Sequence, residues 1–345
     1  MSSNFLLLLR YHATLKVVLM ECTITEESFD WFTACWQDDN NGLRWDNFFV
    51  LPPWLRACQQ VFAPEARLCI LAGRQEGRVI GVAPLMFTER STVSIIGRPD
   101  VCDYGDFIVA PEKGNEFCTA LLGALKQRGI EHLDLVSVRP DSVVMTSMRE
   151  IAQQYGHEVA CTEDEVTLER ELPATWDEYL ESLSAKQRHE VKRKLRRLEE
   201  AGAVDFHFVE TAESVPGFMD IFLKQFVESR EDKAIFMTVE MEKFFRSMAD
   251  VIFKVGLLRP AVLELDKNPV AALITFDYND VVYLYNSGYD PEYRSLSAGV
   301  LSKALCIKDS IERGKKKFDF LKGDEHYKYQ LGGQEVPLYR CQITI

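Results

Sequence analysis

Downstream of residue 60, apolar and polar positions fall into short runs separated by turn-forming residues, and the pattern occurs twice. "ARLCILAG" (66–73) and "GRVIGVAPLMF" (77–87) flank a glycine-containing turn, which predicts a β-hairpin. "RPAVLEL" (259–265) and "PVAALITFDY" (269–278) do the same around "DKN". A third strand follows each hairpin, "VSIIG" (93–97) in one half and "VVYLYNSG" (281–288) in the other. A helix then opens near Gly114 or Gly299 and stops at Gly129 or Gly314, where a left-handed glycine ends a helix. The last element is an apolar strand, "HLDLVSV" (132–138) or "KFDFLKG" (317–323).

The halves share more than order. "RGIEHLDL" (128–135) and "RGKKKFDF" (313–320) lie 185 residues apart, and the same offset carries Gly114 onto Gly299. Two antiparallel strands, a third strand, a crossover helix and a fourth strand parallel to the third make a small mixed sheet. The sequence therefore predicts an α/β chain built by tandem duplication. Residues 21–172 and 173–345 are the expected units, each of ordinary domain size. Between the repeats lies "TWDEYLESLSAKQRHEVKRKLRRLEEAG", where Thr175 or Ser184 could cap helices and an amphipathic helix is expected over 184–201. Leu183, Gln187, Val191, Leu195 and Leu198 share one face, and seven cations between Lys186 and Arg197 occupy the other. Such a face is either merely solvated or a site for an anion.

Composition narrows the functional classes. A chain of 345 residues that is 47% hydrophobic, with 21 Phe and 12 Tyr, can bury large cores. Its net charge of −13 argues against coating DNA. Nine scattered cysteines, none at metal-knuckle spacing, read as reduced core residues of a cytoplasmic protein, and no Cys/His cluster suggests a metal. The apolar N-terminal stretch is interrupted by Arg10, His12 and Lys16, so no integral membrane span is expected. Residues 1–20 read as an extension of doubtful status, with Met20 an equally good start.

If both halves share a scaffold, chemistry belongs where they differ. "RSLSAG" (294–299) opens the second helix with small, hydroxylated and basic residues, and the first helix opens with "VAPEKG" (109–114). Unpaired N–H groups at a helix start attract a phosphate, small residues let it come close, and an arginine clamps it. Glu112 would repel the same group. Asp134 and Asp319 occupy equivalent places and read as structural. Asp324, Glu325, Tyr327 and Lys328 follow the final strand of the second copy alone, where ligand sites of open α/β sheets form.

Taken together, the hairpin, strand, "R-x-x-S-x-G" helix opening and closing strand resemble the GNAT N-acyltransferases, whose coenzyme A turn has the pattern [RQ]-x-x-G-x-[GA]. Arg294, Ser297 and Gly299 match it, with serine in place of the first glycine. The order "YNSGYDPEYRSLSAG" then "IERGKKKFDFLKGDEHYK" resembles the Fem-like tandem branch, in particular the CelD/BcsL-type acetyltransferases associated with cellulose and exopolysaccharide. The resemblance implies two tandem GNAT-like domains, the second catalytic. It implies acetyl-CoA as co-substrate, held by Arg294, Ser297, Ala298 and Gly299, with a freed N–H near Leu284 or Tyr285 on the thioester oxygen.

In that scheme Glu325 and Asp324 are the candidate bases for an amine acceptor. Tyr327, with Tyr329 in reserve and Lys328 beside it, supplies the proton for the leaving thiolate. Arg188, Arg193, Tyr283 and Asn286 are the expected acceptor contacts. The acceptor reads as a small molecule or saccharide amine. Two alternatives remain open at this stage: a Fem-like enzyme that uses aminoacyl-tRNA, and a non-catalytic binding protein on the same fold. The absence of G-x-S-x-G and G-x-x-x-x-G-K-[ST] turns the reading away from hydrolases and kinases.

Overall fold

The computed structural model describes residues 22–345; the reading of residues 1–20 lies outside them. The first copy runs β1 (Thr23–Glu27), α1 (Phe29–Gln37), α2 (Pro52–Phe62), β2 (Leu68–Gln75), β3 (Arg78–Phe87), β4 (Thr92–Ile95), β5 (Ile108–Val109), α3 (Gly114–Gln127), β6 (His132–Val138), α4 (Arg149–Gln154) and β7 (Glu158–Glu171). After α5 (Trp176–Ser182) and α6 (Ala185–Ala201) come β8 (Val204–Phe208), α7 (Val215–Ser229), α8 (Glu231–Phe236), α9 (Val239–Lys254), β9 (Leu258–Leu265), β10 (Asn268–Tyr278), β11 (Val281–Tyr289), α10 (Ala298–Glu312), β12 (Lys317–Lys322), α11 (His326–Gln330) and β13 (Gln334–Thr344). Both expected hairpins form, as β2–β3 and β9–β10. The expected parallel pairs form too, as β4–β6 and β11–β12.

Local chemistry sets the boundaries. Thr175 and Ser184 each cap a helix, in complete capping boxes with Glu178 and Gln187, and the helix that Ser184 caps is the basic one expected over 184–201. Gly129 and Gly314 sit at φ 71° and 72° just past α3 and α10. Glu112 and Ser297 also match, at φ 62° and 61°, so the turns into both crossover helices share one backbone shape despite their different side chains.

The strands form a single sheet in the order β1-β2-β3-β4-β6-β13-β7-β12-β11-β10-β9-β8, with β5 beside β3. Its centre is exchanged between the copies. β7 of the first copy pairs with β12 of the second, and β13 from the end of the chain pairs with β6 of the first. β7 and β13 also pair with each other over their lengths, and Cys161 is disulfide-bonded to Cys341 across that ladder. This corrects the expectation that all cysteines are reduced: directly opposed positions of adjacent antiparallel strands place two side chains within bonding reach.

Aromatic packing joins the copies on one face of the sheet. Phe48 stacks on Phe276 with ring centroids 4.2 Å apart, and Trp54 meets Phe244 at 5.7 Å and Tyr285 at 5.3 Å. These rings belong to one buried cluster that runs through α1, α2, α7, α9 and both hairpins. Offset and edge-on rings of this kind add about 0.5–1.5 kcal/mol per pair beyond their buried area. The two copies therefore share a core as well as a sheet, which fixes their strand ends against each other.

Candidate active site

The site grows from a break in the sheet. β11 and β12 are paired only from Val281 to Tyr283 and from Lys317 to Asp319, after which they part. At the same level β11 bulges: Ile274 opposes Asn286 and Thr275 opposes Leu284, so Tyr285 faces no residue of β10. A bulge leaves its extra residue outside the ladder and re-aims the strand. The family resemblance implied a freed N–H near Leu284 or Tyr285, in this stretch of β11.

β12 is bent at the matching height. Leu321 takes φ 61°, a left-handed conformation unusual for leucine, and Asp319 Oδ1 accepts the Leu321 N–H at 2.8 Å. From the other side Lys328 Nζ donates to the carbonyls of Leu321 (2.8 Å), Lys322 and Gly323 (3.1 Å), and pairs with Glu325 at 2.9 Å. Lys328 is 1% exposed and its ammonium is fully engaged. The sequence grouped it with catalytic residues; its contacts make it the peg that holds the strand exit and Glu325.

Between the parted strands lies a cavity of about 1110 Å³. Leu284, Tyr285 and Asn286 line it from β11, Glu325 and Tyr327 from the turn and helix after β12. Its far wall is the first copy, through Ile95–Gly105 and Val136–Ser137. The first copy's loop touches the second copy's strands directly. Tyr285 Oη donates to the Val101 carbonyl at 3.2 Å, Asp103 Oδ1 accepts the Lys322 N–H at 3.0 Å, and Tyr104 Oη donates to Asp319 at 2.8 Å.

Electrostatics in the cavity follow from burial. Desolvation raises the Asp103 carboxyl above the ordinary range, against the pull of Lys322. The Tyr327 phenol is pushed up by burial and by Glu325, so it stays protonated. For Glu325 burial acts upward, but Lys328 wins and holds the carboxyl below its usual value. Two further lysines flank the pocket. Lys233, over the Phe226 ring and bonded to the Ser287 carbonyl, is pushed down to about 8 by burial. Lys303, which donates to the Gly299 carbonyl at 2.6 Å with its ammonium 4.6 Å from the Tyr327 ring centre, is pushed down to about 7, by burial and then by Lys233.

The remaining expected residues are placed apart. Arg294 is exposed, with no carboxylate within ion-pairing distance among the described residues. Ser297 is the left-handed residue before α10 and gives it no side-chain cap; Ala298 is buried. Gly299 is required by packing, since a Cβ there would lie 2.8 Å from the Tyr289 ring. Asp324 is exposed and outside the cavity lining. Arg193 is paired bidentately with Glu190, and Arg188 reaches the Glu181 carbonyl; neither lines the cavity, because α6 packs on the α10 side.

Tyr283 lines a different cavity, of about 560 Å³, with Arg139, Asp319 and Gly114. Alternation along β11 turns it away from its neighbour Leu284. At the opening of α3 in that cavity, a Cβ on Gly114 would meet Ser147 Oγ at 2.4 Å. Sequence reasoning missed Asp103, Lys233 and Lys303. The loop carrying Asp103 reaches the second copy only through the shared core, a signal no local motif contains. Lys233 and Lys303 sat in helical patterns as ordinary cations.

Residues 185–329 match the acetyltransferase (GNAT) domain family model. No curated protein matches the sequence. Among solved structures, FemX superposes with a TM-score of 0.64 at 13% identity, covering 92% of this chain and 96% of that one. A conserved protein of unknown function from Bacteroides thetaiotaomicron gives 0.57 at 10% identity, over 93% and 99%. L-PGS from Bacillus licheniformis gives 0.50 at 10%, over 76% and 80%. The chain has the mixed α/β fold of two tandem GNAT-like units on one sheet.

Proposed function

We propose that the protein is an acyltransferase that moves an acetyl or similar acyl group from coenzyme A to an amine, with the second copy as the catalytic unit. The observation that carries this reading is the bulge at Tyr285 beside the parted β11–β12 strands, opening on a cavity of about 1110 Å³. A thioester lying there meets a backbone N–H aimed at its carbonyl oxygen, where negative charge grows as the amine attacks. The pantetheine arm follows the gap between the strands, and the pyrophosphate rests at Ser297–Gly299 with Arg294 over it.

The amine must lose a proton to attack. Glu325 is one acceptor for it, and Asp103 from the opposite wall is the other, its carboxyl already made more basic by burial. Tyr327 keeps its proton at working pH, and in this reading it is the group that gives a proton to the departing thiolate. The acceptor fits an amino sugar or a cell-surface polysaccharide precursor, in line with the resemblance to CelD/BcsL-type enzymes. One observation favours a second reading, aminoacyl transfer from tRNA: the likeness to FemX spans both copies. Steep salt dependence of tRNA binding would support it.

Calorimetric titration with acetyl-CoA tests the proposal. Wild type is expected to bind in the micromolar range, Arg294→Glu to lose that binding, and Tyr327→Phe to keep it while turnover falls roughly 10²-fold. Absence of binding to wild type would remove the acetyltransferase reading.

A further inference from the structure

One thiol faces the same cavity, apart from the acyl-transfer groups, and a second lies in contact behind it. Cys102 lies in the first-copy loop that walls the cavity, and Cys58 lies buried on α2 behind it. Their sulfurs are 3.9 Å apart although 44 residues separate them in sequence. The Trp54 indole N–H donates to Cys102 Sγ at 3.3 Å. Gly97, at φ 131°, leaves room for the same sulfur: a Cβ there would stand 2.5 Å from it. The site thus has a sulfur with cavity access, a donor on it, and a second sulfur in contact.

We propose that Cys102 is a site of oxidation by hydroperoxides, with Cys58 as its resolving partner. The Cys102 thiolate attacks the distal oxygen of the peroxide, the O–O bond breaks, and sulfenic acid and an alkoxide or hydroxide result. The Cys58 sulfur then attacks the Cys102 sulfur. An S–S bond forms, the S–O bond breaks, and water leaves with the Cys58 proton. Two thiols are oxidised and one peroxide is reduced to an alcohol, or to water, with a further water released.

The division of roles follows from the surroundings. Hydrogen bonds from Cys58 and Trp54 lower the Cys102 thiol against the effect of its burial, and Lys322 adds to the lowering. Cys58 moves the other way, raised by burial and by the neighbouring thiol, so it stays protonated until a sulfenic acid is beside it. The other buried thiols, Cys35, Cys69, Cys118 and Cys306, are raised by burial. Closure would draw the loop onto α2. That loop carries Val101, the acceptor of the Tyr285 hydroxyl, so the modification reports to the bulged strand.

The test uses the full chain exposed to hydrogen peroxide, thiol blocking, and peptide mapping without reduction. The expected products are a linked Cys58–Cys102 peptide in wild type and a dimedone-trapped sulfenic acid at Cys102 in Cys58→Ala. Trp54→Phe, which keeps both cysteines, is expected to slow Cys102 oxidation several-fold. Oxidation that begins at Cys22 or another thiol, or Cys102 reacting no faster than Cys118, overturns the proposal. So does a Cys58→Ala variant, confirmed as folded by circular dichroism, that yields no trapped adduct.

Discussion

Lys303 shows what burial does to a single side chain. Its ammonium has one carbonyl and one ring face for company, and no carboxylate in contact among the described residues. A lysine whose folded pKa is about 7, against about 10.4 unfolded, is half neutral in the native state at pH 7 and largely neutral above it, while the unfolded chain still binds the proton. Stability must therefore rise with pH through that window. Urea midpoints for wild type and Lys303→Met at pH 7 and pH 9 should show wild type gaining on the variant as pH rises. Parallel midpoints would mean that Lys303 is charged in the fold. The lysine itself is visible in the sequence, but its burial and the Tyr327 ring beside it are not, because residue spacing does not reveal tertiary contacts.

Single elements were the most legible part of the sequence. Hairpins, crossover helices and parallel strands all appeared in the alternation and the glycine stops, because those signals are local. A freed N–H near Leu284 or Tyr285 was expected from the family resemblance rather than from these residues themselves, since nothing local in "YLYNSG" marks a bulge. α7 crosses β11 closely at Gly288, three residues beyond the bulge: a Cβ there would lie 2.5 Å from the Phe226 backbone nitrogen and 2.6 Å from the Gln225 carbonyl carbon. Backbone cannot give way as a side-chain tip can. Gly288→Ala is expected to cost about 1–3 kcal/mol by denaturant unfolding. A cost near zero would show that α7 is free to lift.

At the scale of the whole molecule, the boundary expected near residue 172 divides the chain in sequence but not in space, since one sheet runs through both sides of it. β7 and β13 are exchanged, a disulfide joins them, and the aromatic core crosses between the copies. Sequence periodicity identified the copies correctly as repeats of one order, yet no period shows which sheet a terminal strand will join. The consequence is cooperative unfolding. A fragment of residues 22–172 would leave β6 without β13 and β7 without either neighbour. It should fail to fold alone, and the full chain should unfold in one transition with the disulfide intact. A stable, dispersed spectrum from the fragment would refute that. The same intimacy lets a first-copy loop wall the second copy's cavity, so Asp103 escaped a search confined to the second copy.

The account centres on the parted strands of the second copy as the acyl-CoA site. Backbone amide exchange with and without acetyl-CoA tests this directly. It should show new protection at residues 284–287 on β11 and at 298–301 where α10 begins, with the first copy's cavity around 108–114 and 139–147 unchanged. Protection confined to that first-copy cavity, or none at Tyr285, would contradict it.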